Sequence, residues 1–193
     1  MSLIERIALA LANEPPHGLL PGDLVEGLVG EPRHAAVLVA ITDRPEPGLI
    51  LTQRRDDLRT HAGQVALPGG RIDEGEDAVA AALREAQEEV GLNPALVRLL
   101  GEADRYATVT GYWVTPVIGV IPPDLELAPN PAEVADWFEA PLHFILDAAN
   151  HHRRSALFEG ATRHYYEIIW NDRRIWGATA AMIVNLSRRL PWP

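Results

Sequence analysis

The stretch REAQEEV at residues 84–90 puts Glu85, Glu88 and Glu89 close together near the C-terminal end of a predicted helix. Carboxylates three and four residues apart repel by roughly 0.2–0.5 kcal/mol per pair, and in the last turns they oppose the helix dipole by about 0.3–1 kcal/mol more. A sequence that breaks a local rule in this way points to a function that compensates for it, and a divalent cation would turn the repulsion into attraction. Oxygen donors of this type suit hard ions, Mg²⁺ first. The chain has no cysteine, which excludes disulfides, thiolate nucleophiles and thiolate zinc sites and leaves oxygen and nitrogen ligands. His151 and His152 have no metal-ligand companion at helical spacing, and with Arg153 and Arg154 behind them they read as loop.

A second group of residues could meet negative charge. Arg54, Arg55 and Arg59 lie together in LTQRRDDLRTHAGQ, beside His61, either as contacts to a phosphorylated small molecule or as exposed charges. The formal net charge of −10 argues against a nucleic-acid partner, because tracking a phosphate backbone needs clustered Lys and Arg. A small phosphorylated ligand needs only a local positive site, which a metal ion and a few arginines supply. The apolar run HAAVLVAI is too short to span a bilayer, and MSLIERIALALAN carries Glu5 and Arg6 where a signal peptide would hold positive charge alone. These features suggest a cytoplasmic protein with no membrane partner.

The acidic stretch needs a scaffold. Ala78, Ala80, Ala81, Ala82 and Ala86 favour a helix over 77–90, and Gly91 followed by Pro94 ends it. On a helical wheel Val79, Leu83, Ala86 and Val90 form the packing face, and the three glutamates occupy an arc of about 100° on the opposite side. Residues 3–12 predict a short amphipathic helix. AAVLVAIT and GLILTQR, separated by the turn signal DRPEP, predict two strands. VRLLGEAD, GYWVTPVIGVI and RHYYEIIWND are further β-rich runs, PPDLELAPNPAE is loop, and VADWFEA is a strand or turn ahead of a short helix near Pro141. A short strand at RRIW leads to a last helix from about Gly177. Gly119, Gly160 and Gly177 read as turn or bend positions, and Trp113, Trp137, Trp170 and Trp176 as core. Interleaving without regular alternation indicates an α/β (α+β) fold, a mixed sheet with helices on both faces rather than a doubly wound parallel sheet. With 193 residues, 47% of them hydrophobic, one domain over 34–193 is expected, the helix and connection of 1–33 packed onto it.

Gly70, Glu76 and the run from Arg84 to Leu92, with five and seven residues between them, resemble the Nudix box; Ala86 takes a position where that family carries a larger aliphatic residue. The preceding LTQRRDDLRTHAGQVALPGG is similar to the signature of the coenzyme A pyrophosphatases of that family, with Leu51, Thr52, Arg59, Gly63, Pro68, Gly69 and Gly70 at matching positions and Leu67 in place of the usual phenylalanine. The likeness covers residues 34–140, and IWGATAAMIV is similar to the subgroup's final helix. It implies a Nudix-type α/β/α sandwich around a central mixed β-sheet. It implies Mg²⁺ or Mn²⁺ held by Glu85, Glu88, Glu89 and the Gly69 carbonyl, with Arg84 paired to Glu76. It implies cleavage of the diphosphate of coenzyme A or its derivatives to 3',5'-ADP and 4'-phosphopantetheine. Arg54 and Arg55 stand where that signature prefers small hydroxyl residues; by their charge they are expected, with Arg59 and the glycines Gly69 and Gly70, as substrate contacts. For the general base both Glu85 and Glu133 stay open. ADP-ribose, NADH or a dinucleoside polyphosphate are alternative substrates, and a nucleotide-binding module without catalysis is a third reading, against which the intact glutamates argue. The sequence is compatible with a homodimer.

Overall fold

The computed structural model of the protein describes residues 1–23, 33–58, 61–158 and 161–190. In chain order it runs α1 (Leu3–Ala12), β1 (Arg33–Thr42), β2 (Gly48–Arg54), β3 (Val65–Ala66), β4 (Gly69–Arg71), α2 (Ala78–Val90), β5 (Arg98–Glu102), β6 (Tyr106–Ala107) and β7 (Tyr112–Ile121). β8 (Val134–Pro141), α3 (Leu142–Leu146), β9 (His152–Phe158), β10 (Ala161–Trp170), β11 (Arg173–Trp176) and α4 (Gly177–Arg189) follow. Side-chain and backbone caps fix the helix ends that matter most. Ser2 and Glu5 form a reciprocal capping box on α1, while on α2 Asp77 accepts from the Ala80 N–H and Gly91, at φ +68°, closes the C-terminus in the left-handed region.

The main sheet has eight strands in the order β3-β2-β1-β7-β5, with β8 along β2, β4 on β1 and β6 on β7. β1 and β7 are parallel over their full length and the other pairs are antiparallel, so the sheet is mixed. β9, β10 and β11 form a separate antiparallel sheet. The apolar run of β1 is continuous because both of its faces are covered. Ala35, Val39 and Ile41 join a core with Ile7 of α1, Ile145 of α3 and Ile183 of α4, whereas Ala36, Leu38 and Ala40 pack against Ala78, Ala81, Ala82 and Ala86 of α2. The expected helices on both faces of a mixed sheet are therefore present. Among the described residues no helix is long and apolar enough to cross a membrane.

Several local expectations need correction. His152 is not loop but opens β9, whose described side chains His152–Leu157 are all exposed; a strand held by its backbone ladder to β10 leaves no alternating apolar signal. Gly119 is not at a turn: it lies inside β7, where a Cβ would stand 2.5 Å from Val97 Cγ1, so the glycine permits close packing. Gly177 does turn the chain, at φ +62° between β11 and α4, and Gly160 lies outside the described residues. Trp113 is 37% exposed, and Trp137, Trp170 and Trp176 are half-buried rather than core; Trp170 stacks on Phe138 with ring centres 5.6 Å apart.

Candidate active site

The first feature of the site is the way α2 meets the sheet. Its buried residues are Ala78, Ala81, Ala82, Ala86, Glu89 and Val90, and Glu89 is only 4% exposed. The glutamates are thus not opposite the packing face. At about 100° per residue Glu89 falls near the centre of that face, Glu85 between Ala81 and Ala78 though only half-buried, and Glu88 just past the edge in solvent. Hydrophobicity pointed to Val79 and Leu83 as the contact residues, yet both are only half-buried. The contact is built from alanines instead. Short side chains let the helix lie close to the strands, so a glutamate on the same face reaches the strand backbone.

That backbone is β4. Its Gly69 N–H donates to Glu89 Oε2 at 3.2 Å, and a Cβ on Gly70 would come within 2.3 Å of Glu85 Oε1. Gly69 pairs with Val37 of β1, and a Cβ there would meet the Ala36 carbonyl oxygen at 2.4 Å. Both glycines are therefore set by close approach, one to backbone and the other to a carboxylate.

Arg84 organises the exposed half of the cluster. It holds Glu76 by two bonds, Nε at 2.8 Å and Nη2 at 3.0 Å, as the resemblance implied. Its Nη1 donates to Glu85 Oε1 at 2.9 Å and to Glu88 Oε2 at 3.1 Å, and Nη2 donates to the Arg71 carbonyl at 3.0 Å. The guanidinium thus ties the β4–α2 loop to the helix. Glu89 has no comparable partner. Arg54 Nη1 stands 3.7 Å from its Oε1, burial pushes its carboxyl up to about 7, and the charges of Glu85 and Glu133 push the same way against the Gly69 N–H and Arg54. Burial likewise raises Glu85, opposed by Arg84 and assisted by Glu88 and Glu133.

The loop before β8 brings Glu133 to this cluster. Ala128 N–H donates to the Val90 carbonyl at 2.9 Å and Asn130 N–H to that of Glu89 at 2.8 Å, satisfying the open carbonyls at the end of α2. Asn130 carried no periodic signal in the Pro-rich loop and was not anticipated from sequence. The Glu133 side chain is exposed and makes no hydrogen bond or ion pair among the described residues, while its backbone is fixed by Asn130 and Arg55.

The arginines divide. Arg54 faces Glu89. Arg55 points elsewhere, with Nε 2.7 Å from Asp57 and Nη1 on the Pro131 carbonyl. Arg59 lies outside the described residues. His61 sits in a turn at φ +57°, its Nδ1 2.9 Å from Gln64 Oε1.

Among the described residues no three acidic or imidazole side chains are gathered tightly enough to form a closed metal cage. The donor set still fits Mg²⁺ or Mn²⁺, because Mg²⁺ keeps several waters and binds through one or two carboxylates together with substrate phosphates. The buried, poorly compensated Glu89 beside Glu85 is a place where a positive ion would be strongly stabilised.

The NUDIX domain family model matches residues 32–159. The chain belongs to the Nudix family. It is 44% identical over 159 residues to NudL of Escherichia coli strain K12, an uncharacterized Nudix hydrolase, with 82% of this chain and 83% of that protein covered. NudL of Shigella boydii serotype 4 is 45% identical with the same coverage. Among solved structures, the Nudix hydrolase RenU of M. smegmatis is 25% identical at a TM-score of 0.50, covering 58% of this chain and 73% of that one. A MutT/nudix family protein from Enterococcus faecalis, 16% identical, shares the fold at a TM-score of 0.51 over 96% of this chain and 68% of its own. The protein is a Nudix hydrolase of the pyrophosphatase kind, in a family that acts on small-molecule diphosphates and generally uses divalent metals such as Mg²⁺ or Mn²⁺.

Proposed function

We propose that this Nudix hydrolase cleaves the diphosphate of coenzyme A or a derivative, releasing 3',5'-ADP and 4'-phosphopantetheine. One observation supports the reading above the others. The segment similar to the coenzyme A pyrophosphatase signature runs from β2 to β4, and Arg54 near its start and Gly69–Gly70 at its end lie beside Glu89 and Glu85. Substrate-selecting sequence and acidic helix are then parts of one surface.

In this reading Glu85, Glu88, Glu89 and the Gly69 carbonyl hold Mg²⁺ or Mn²⁺. The bound ion neutralises charge on the phosphate oxygens and makes water more acidic. Arg54, which faces Glu89, is the arginine that meets the anionic substrate, and Arg59 is assigned to it from sequence alone; Arg55 is engaged by Asp57 and the Pro131 carbonyl, and Gly69 and Gly70 serve by letting β4 approach the acids closely. Glu133 is the better candidate for the base: Glu85 already accepts from Arg84, whereas the Glu133 carboxylate is exposed and unengaged among the described residues. Arg84 and Glu76 keep the loop and helix in register. The fully buried Ile7 supports reading α1 as packed on the same domain, and a chain without cysteine suits a cytoplasmic setting.

A substrate panel with Mg²⁺ and with Mn²⁺, its products separated by chromatography, tests the proposal. Coenzyme A is expected to give 3',5'-ADP and 4'-phosphopantetheine faster than ADP-ribose, NADH or a dinucleoside polyphosphate is cut. Coenzyme A surviving while ADP-ribose is consumed would overturn the substrate assignment, and no turnover of any diphosphate would overturn the catalytic one.

A further inference from the structure

One arginine of the site is bonded unlike its neighbours. Arg84, Arg55 and Arg189 each place Nε 2.6–2.8 Å from a carboxylate, of Glu76, Asp57 and Asp104 respectively. Arg54 reaches Glu89 only at 3.7 Å, beyond hydrogen-bond length, and its Nε is buried with no hydrogen-bond partner among the described residues. A buried donor left unmade costs free energy, so the placement calls for a cause. The backbone holds it there. The register of β2 against β8 shifts between Gln53 and Arg54, and the Arg54 N–H donates to the Gln64 carbonyl at 2.9 Å. Such an irregularity re-aims a side chain, here toward α2.

We propose that Arg54 is the resident counter-cation of Glu89 in the metal-free protein, competes with the divalent ion for that carboxylate, and turns to the substrate diphosphate once displaced. The proposal rests on the pyrophosphatase reading for its last step only. A guanidinium holding a carboxylate by one long contact loses little on leaving it, and an ion on Glu89 would repel it. A diphosphate offers the paired anionic oxygens that its fork matches, including a partner for the unused Nε. Metal and substrate then bind cooperatively, each favouring the state in which Arg54 has left Glu89.

Mn²⁺ binding to the full metal-free chain without substrate, followed by the electron paramagnetic resonance of unbound Mn²⁺, tests this. Arg54→Met is expected to bind Mn²⁺ about tenfold more tightly than the native chain, ~1.4 kcal/mol. Arg55→Met removes an equal charge already held by Asp57 and should change the affinity little. In the Glu89→Gln background Arg54→Met should have no effect on Mn²⁺ binding. At saturating Mn²⁺ the Arg54→Met enzyme should show a raised KM with kcat retained. Arg54→Gln carries the same expectations should the methionine variant not fold. Unchanged or weaker Mn²⁺ binding on loss of Arg54, an equal gain in Arg55→Met, or a gain that persists without Glu89 would each overturn the proposal. If the Mn²⁺ shifts appear but no diphosphate is hydrolysed, the pyrophosphatase reading fails and the competition for Glu89 stands.

Discussion

Glu89→Gln separates the cost of the site from its use. In the metal-free protein burial raises the Glu89 carboxyl from its ordinary 4.5 to about 7. A group whose folded pKa is raised contributes stability that is fully present below its unfolded pKa and is lost as pH rises through the folded one. For Glu89 the loss therefore runs from about pH 4.5 to just above pH 7, and at ~1.4 kcal/mol per pH unit it reaches ~3 kcal/mol at pH 8. Glutamine keeps an oxygen for the Gly69 N–H and carries no charge to desolvate. With chelator at pH 8 the variant should therefore be more stable than the native chain by up to ~3 kcal/mol, about 6–12 °C in Tm for a chain of this size. At pH 5 the two should nearly coincide. Adding Mn²⁺ should raise the native Tm and the variant's much less, while turnover falls by about a hundredfold or more. Thermal unfolding from pH 5 to pH 8, with chelator and with Mn²⁺, measures all of this. A variant less stable than the native chain at pH 8 in chelator would refute the argument from burial, and native turnover would refute the role of Glu89.

The two glycines should fail in different ways. Gly69→Ala drives a Cβ into the Ala36 carbonyl and Val37 Cα and should cost about 1–3 kcal/mol in denaturant unfolding. Gly70→Ala meets the tip of the Glu85 side chain, which can swing aside, so kcat should drop with little change in stability. Glu133→Gln, at an exposed position, should leave Tm unchanged and lower kcat by about 10²–10⁴ if it is the base; a smaller effect than in Glu85→Gln would transfer that role to Glu85. Asp77→Ala removes the cap that accepts from Ala80 N–H and should lower stability by about 1 kcal/mol with kcat retained, as read by paired unfolding and activity assays.

What sequence reveals here follows from how each element is stabilised. β1, β2, β7 and α2 announce themselves because they bury apolar surface and carry strong end signals, Gly91 for α2 and DRPEP between β1 and β2. β9 is held to β10 by its backbone ladder with its described side chains exposed, and β3, β4 and β6 are only two or three residues long, so none of them carries a periodic apolar pattern. The acids were recognisable through spacing, yet their disposition was not. A helical wheel weighted by hydrophobicity assigns carboxylates to solvent, and it fails most clearly at Glu89, the one fully buried glutamate of the three. The failure is informative because alanines made it possible. A helix face lined with Ala78, Ala81, Ala82 and Ala86 gives up the burial of larger side chains, roughly 0.8 kcal/mol per methylene, and in exchange brings a charged group against β4. The departure of Ala86 from the bulkier residue usual at that position belongs to the same arrangement. Ala86→Leu should accordingly push α2 away from β4, lengthen the contact between Glu89 and the Gly69 N–H, and weaken Mn²⁺ binding even in a variant whose overall stability is unchanged.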